Sequence, residues 1–151
     1  MIDLNSTRGR DEVSKLAKID VAKATKIAEK ITEPWFQARA WSYLIRYADD
    51  PLLFLPRAAK AASKGKDEYQ RSAVRAWEIA ALGERGNKYQ ARQTLHQAVE
   101  LAASIPQASS QAEALILLFQ AAFKISAKDA EFVAHVLLDT CRSDHWRAVR
   151  A

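Results

Sequence analysis

Along most of this chain apolar residues return every three or four positions, the period of a helix that buries one face. Val21, Ala24, Ile27, Ala28 and Ile31 share such a face, and Asp20 stands where a helix cap belongs. Pro34 opens a second helix, because a first-turn residue loses nothing by lacking an N–H. Its inner face carries Ala38, Trp41, Leu44, Ile45 and Ala48. Asp49-Asp50-Pro51 stops that helix and caps one over 51–63, whose start Pro56 shifts or bends. Lys64-Gly65-Lys66 breaks the chain before a long helix from Asp67 to about Glu84, and Gly86-Asn87 precedes one ending near Ser104. Pro106 opens the next, to about Lys124; Ser126 or Asp129 caps one reaching Cys141, and Ser143-Asp144 starts a last one. Residues 1–10 read as a flexible N-terminal lead-in, followed by a short helix over Asp11 to Ala17. No run alternates with period two for the length of a strand, so the expected class is all-α, with short loops joining antiparallel neighbours.

The pattern also repeats over long range. A shift of 74 positions lays Ala24, Ala28, Ile31, Ala38, Ala40, Leu44 and Ala48 on Ala98, Ala102, Ile105, Ala112, Ala114, Leu118 and Ala122 without a gap. Val21 and Ile27 fall on Leu95 and Leu101. Half that shift works too: Arg39-Ala40-Trp41 recurs as Arg75-Ala76-Trp77, loosely as Glu113-Ala114-Leu115, and as Arg150-Ala151. The alanines step by 36, 38 and 37 residues. A period of about 37 residues predicts a right-handed α-α superhelix, a solenoid of about four antiparallel hairpins. Residues 11–151 then form a single helical-repeat domain that ends in an incomplete repeat. Trp146, Val149 and Ala151 fall at core positions of that last repeat, which predicts self-association through the C-terminal face or a longer parent array.

Composition agrees with helix: glycine and proline occur four times each in 151 residues. One cysteine excludes an internal disulfide. The start lacks a secretory apolar segment, and the longest apolar stretch, Ala114 to Phe123, is far short of a membrane span. A cytoplasmic protein without membrane contact is expected. The net charge of +5 is uneven: residues 1–75 carry 15 Lys/Arg against 10 Asp/Glu, and residues 76–151 carry 8 of each. That excess permits an acidic partner without demanding one.

Trp41-x2-Leu44-Ile45-x2-Ala48 resembles the first-helix pattern of a tetratricopeptide repeat, and Ala98, Val99, Ala102 and Pro106 resemble its second helix and closing proline. The period is nearer 37 than 34, Ile45 and Ala81 stand where a small glycine is characteristic, and the pattern also resembles HEAT-like repeats. Either resemblance implies a protein-interaction scaffold that takes a peptide or protein segment in a concave groove, on first-helix residues. Arg39, Arg75 and Arg150 then line up one repeat apart, with Tyr43 and Arg46 beyond Arg39, Arg71 one turn before Arg75, and Trp35 at a helix start. This strip either grips an acidic segment or is a solvated face closed by ion pairs such as Arg75 with Glu78. A second ladder, Lys23, Lys26 and Lys30 followed by Arg57, Lys60 and Lys64, is spaced i, i+3, i+7 on second helices; its counterparts one repeat later are Gln93, His96 and Glu100. These six cations either follow nucleic-acid phosphates or wet an outer face.

No constellation demands catalysis, a metal or a cofactor. Cys141, Asp144 and His145 are close in sequence and His135 lies six before the cysteine, but a lone cysteine ending an apolar helix is ordinarily a small core residue. Some HEAT-like solenoids resemble DNA glycosylases, in which Trp35, Arg46 and Asp49 would supply the groove chemistry; no spacing here supports that part.

Overall fold

The computed structural model describes residues 4–142, and among them every regular element is a helix. Nine α-helices follow in order: α1 (Leu4–Leu16), α2 (Val21–Lys30), α3 (Pro34–Tyr47), α4 (Leu55–Ser63), α5 (Glu68–Ala73), α6 (Arg75–Glu84), α7 (Lys88–Ala103), α8 (Ala108–Ala122) and α9 (Ala127–Arg142). A 3-10 turn over Pro51–Phe54 leads into α4. Backbone contacts divide the chain into two compact units, residues 1–65 and 66–151, where the sequence reading expects one domain over 11–151.

The helix ends follow from local chemistry. Asp20 accepts from the Lys23 N–H at 3.0 Å and Asp67 from the Gln70 N–H at 2.8 Å, each satisfying a donor that the first turn leaves open. Asp50 does the same for Leu52 at 3.2 Å. Pro56 takes a first-turn position of α4, and this is why the helix expected from Pro51 begins at Leu55 behind a 3-10 turn. Ser126 caps α9 by accepting from the Asp129 N–H at 3.0 Å. α6 ends in a Schellman motif: Asn87 N–H reaches the Leu82 carbonyl at 3.0 Å and Gly86 N–H the Gly83 carbonyl at 3.1 Å. The motif puts Gly86 at φ 79°, a conformation in which a side chain would be strained.

Two sequence expectations are corrected. Helix α1 starts at Leu4, inside the expected lead-in, because long-range bonds hold a stretch of poor helix formers. Ser6, 1% exposed, accepts from the Glu33 N–H at 3.2 Å, and Gly9 lies close to Ile31. The long helix from Asp67 is two helices, interrupted at Val74.

In the first unit α1 packs on α2 and α3, α2 packs on α3, and α3 packs on the 3-10 turn and α4. Val13, Ala24, Ala28, Ala40, Leu44 and Ile45 have essentially no solvent exposure. Trp41 is buried as expected, stacked on Phe54 with centroids 6.1 Å apart. In the second unit α7 packs on α5 and α6, α8 packs on α5, α6 and α7, and α9 closes on α8. Ile79, Leu82, Leu95, Ala98, Leu115 and Leu118 form its core, while Trp77 is only half-buried. Each fully buried Leu or Ile contributes about 1.5–3 kcal/mol of transfer free energy, and the alanines between them let helix backbones approach. Closest of all, Gly83 on α6 faces the end of α8, where an added Cβ would lie 2.6 Å from the Lys124 carbonyl oxygen.

The 74-residue repeat marks equivalent environments. Ala24, Ala28, Ile31, Ala38, Ala40, Leu44 and Ala48 are buried in the first unit, and each counterpart is buried in the second. Both corners between the aligned helices carry a tie that sequence reading did not find. Gln37 donates its side-chain amide to the Ala28 carbonyl at 3.2 Å, and Gln111, 74 positions on, donates to the Ala103 carbonyl at 2.7 Å. Each tie satisfies a carbonyl in the last turn of the preceding helix.

Candidate functional site

Trp35, Phe36, Arg39, Tyr43 and Arg46 occupy one stripe of α3, since steps of three, four and seven residues return to the same helix face. All five are half-buried. The opposite stripe of α3 (Ala38, Trp41, Leu44 and Ile45) makes the core, so packing alone orients the first stripe outward. Four of these residues were expected in the groove; Phe36 was not. Two cations from the neighbouring chain segment extend the face. The Arg10 guanidinium lies 5.2 Å from the Phe36 ring centroid, and the Lys18 ammonium lies 5.1 Å from that of Tyr47, which is 39% exposed. No linear spacing could have revealed these pairs, because they join α1 and its following turn to α3.

Two guanidinium groups, those of Arg10 and Arg39, bear on the electrostatics of this face. Burial, followed by the positive charge of Arg10, holds the Arg39 guanidinium below its ordinary pKa, and the Tyr43 hydroxyl works against both. Arg10 and Arg39 are thus like charges close enough to oppose each other, and Asp11 answers Arg10 through a bond to its guanidinium.

Equivalent positions of α8 do not preserve the stripe. Ser109, Ser110, Glu113, Leu117 and Gln120 stand 74 positions after Trp35, Phe36, Arg39, Tyr43 and Arg46. Buried positions repeat because packing demands them, whereas the outward aromatic–arginine stripe belongs to the first unit alone.

The expected groove residues of the second unit behave differently. Arg75 is mostly buried and is held within the unit: Nε and Nη2 donate to Glu78 at 3.1 and 3.3 Å, and Nη1 donates to Gln97 at 3.1 Å. Glu78 is 3% exposed, and burial raises its pKa against the opposing pull of Arg75. Here the ion-pair alternative describes the residue. Arg71 lies half-buried on α5. Arg150 lies outside the described residues, as do Asp144, His145, Trp146, Val149 and Ala151.

The six ladder cations Lys23, Lys26, Lys30, Arg57, Lys60 and Lys64 are all exposed, on α2 and on α4 with its C-cap. Their two helices are bridged where Arg57 Nη1 meets Glu29 Oε1 at 2.7 Å, and the Arg57 guanidinium also lies over the Trp41 ring at 5.1 Å. The counterpart face of α7 is occupied instead: His96 stacks on Phe132 of α9 at 4.5 Å, and Arg92 grips Asp129 of α9 with two bonds of 2.8 and 2.9 Å.

Trp35 and Arg46 stand at opposite ends of α3, about 16 Å apart along its axis, and Asp49 follows the helix on the exposed side. Cys141 is half-buried in the last turn of α9, and no three His, Cys, Asp or Glu side chains among the described residues converge on a metal position. No helix among the described residues is long and apolar enough to cross a membrane. Compared with known proteins, this chain matches no family model, no curated protein and no solved structure.

Proposed function

We propose that the protein is a non-enzymatic interaction scaffold of stacked helical hairpins, in the manner of tetratricopeptide-like or HEAT-like arrays. Its working face is the α3 stripe, which holds an acidic segment of a partner protein. One observation carries this reading: under the 74-residue repeat the buried positions of α3 recur in α8, and the outward stripe does not. Tryptophan, tyrosine and arginine are the residues that dominate protein interfaces, because they bury large area and donate in fixed directions. Arg39, Tyr43, Arg46 and Trp35 supply both, and Arg10 and Lys18 frame them. Helix pairing within each unit supports the scaffold part, since each first helix packs on its own second helix and on the neighbouring first helix.

An array of short peptides, graded from acidic to basic and with or without aromatic residues, tests it. Acidic peptides containing apolar residues bind, and basic ones do not. A charge-assisted hydrogen bond contributes about 1.5–3 kcal/mol, so Arg46→Ala weakens the best peptide roughly 10- to 100-fold, and Trp35→Ala weakens it as well. Arg71→Ala leaves affinity unchanged. Uniform weak binding of all peptides, or affinity insensitive to Arg46→Ala and Trp35→Ala alike, removes the α3 face from consideration.

A further inference from the structure

Most of the excess positive charge of this protein sits on two helices. Helices α2 and α4 with their caps carry six Lys/Arg against two acids, Asp20 and Glu29, a net +4. The full chain is +5, so all remaining residues nearly balance, 17 Lys/Arg against 16 Asp/Glu. Random wetting of an outer surface would spread the surplus. Here most of it sits on the exposed arcs of two helices in one unit, bound to each other by the Glu29–Arg57 pair.

From this concentration we infer a second binding surface, on the α2/α4 face, for the phosphate backbone of a nucleic-acid duplex, read without regard to sequence. Lys23 to Lys30 covers about 10 Å of helix axis, with intervals of about 4.5 and 6 Å between cations. A duplex presents one negative charge per roughly 1.7 Å of its axis. About 10 Å of duplex therefore carries about three phosphates on each strand, the number of cations in one row. Lys30 and Lys64 stand at the C-terminal ends of their helices, where the helix dipole is negative and holds the ammonium charge in place. No exposed aromatic lies between the rows to stack or read a base, so recognition rests on charge. An anionic lipid surface would be drawn by the same charge but ordinarily adds inserted apolar side chains. Between the cations the exposed arcs hold Ala22, Glu29, Pro56 and Ser63; the exposed aliphatics Ile19, Leu52 and Leu53 stand on the turns before the helices.

The experiment is fluorescence polarisation of a short labelled DNA duplex with the full chain, across salt, beside phosphatidylserine vesicles at matched salt. Expected is binding with a log–log salt slope of about −5, equivalent to roughly a thousandfold weakening between about 50 and 200 mM salt. Two duplexes of unrelated sequence bind alike. Lys26→Glu with Lys60→Glu lowers affinity at least about a hundredfold and flattens the slope by about 2, whereas Lys26→Arg with Lys60→Arg retains binding. Glu29→Gln removes the acid that stands between the two rows and strengthens binding. Trp35→Ala, on the α3 stripe, changes nothing, which separates this surface from the peptide face. Absence of duplex binding at low salt, indifference to the charge reversal, or tighter association with vesicles than with duplex overturns the inference, the last by assigning the face to lipid.

Discussion

Replacing Gly83 by alanine pits two physical effects of opposite sign against each other. Gly83 is a helical glycine in α6, and for an isolated helix alanine is better by about 1 kcal/mol. Here the new Cβ would stand 2.6 Å from the Lys124 carbonyl oxygen, 2.7 Å from its carbon and 3.0 Å from the Lys124 Cβ. A carbon–oxygen contact settles near 3.3–3.6 Å, so α6 and the end of α8 must separate by roughly 0.7–1 Å. The obstructing atoms are backbone and cannot rotate away. Overpacking of this kind costs about 1–3 kcal/mol, and the upper end applies when both walls are main chain. Set against the helix gain, the net is a destabilisation of about 1–2 kcal/mol. For a chain of this size that corresponds to a fall in melting temperature of roughly 2–8 °C. Circular dichroism melts at 222 nm, with urea titration as a check, decide it. A variant more stable than the parent would mean that propensity governs and that the close approach of α6 to α8 is not part of the fold.

Gly86→Ala meets no atom within 4 Å, yet its φ of 79° makes it destabilising by about 1–2 kcal/mol, through backbone strain instead of crowding; a stabilised variant in the same melt would count against the Schellman ending of α6. Two carboxylates should give the pH dependence of stability opposite signs. Asp129 has a lowered pKa through its bonds to Arg92, so its contribution is present above the ordinary carboxylate range near pH 4 and is lost as pH falls through that depressed value. The deficit of Asp129→Asn relative to the parent therefore shrinks toward pH 3. Glu78 has a raised pKa through burial, so its contribution is full below that range and declines as pH rises through the raised value. Relative to the parent, Glu78→Gln therefore gains melting temperature between pH 4 and 7, and parallel trends for the two variants would contradict the assignment.

Much of the secondary structure was legible because its signals are local. Asp20, Asp50 and Asp67 announce helix starts by their own side chains, and Pro34 and Gly86 act through fixed or freed backbone angles. The buried alanines and leucines were legible through periodicity. What escaped reading depends on distant partners. Asn5-Ser6-Thr7 looks like loop until Thr32 and Glu33 lie beside Ser6. Gln37 and Gln111 look like surface residues until their amides meet carbonyls nine and eight positions back. The same holds for the candidate surfaces. Helical spacing gathered Trp35, Arg39, Tyr43 and Arg46 onto one stripe, and Lys23, Lys26 and Lys30 onto another. Spacing says nothing of Arg10 over Phe36, of Lys18 over Tyr47, or of Glu29 joining α2 to α4. For Arg75 it offered both the groove strip and an ion pair with Glu78; the pair is what forms, and Gln97 of α7 is the partner that spacing could not supply.

The glutamine ties close the corner between α2 and α3, and the corner between α7 and α8, over short stretches of chain. Both the donor and the accepting carbonyl lie within ten residues, so the bend owes nothing to what happens on the outer surfaces. The same tie therefore turns the chain whether the helix that follows carries a tryptophan–arginine stripe or a serine–glutamate one.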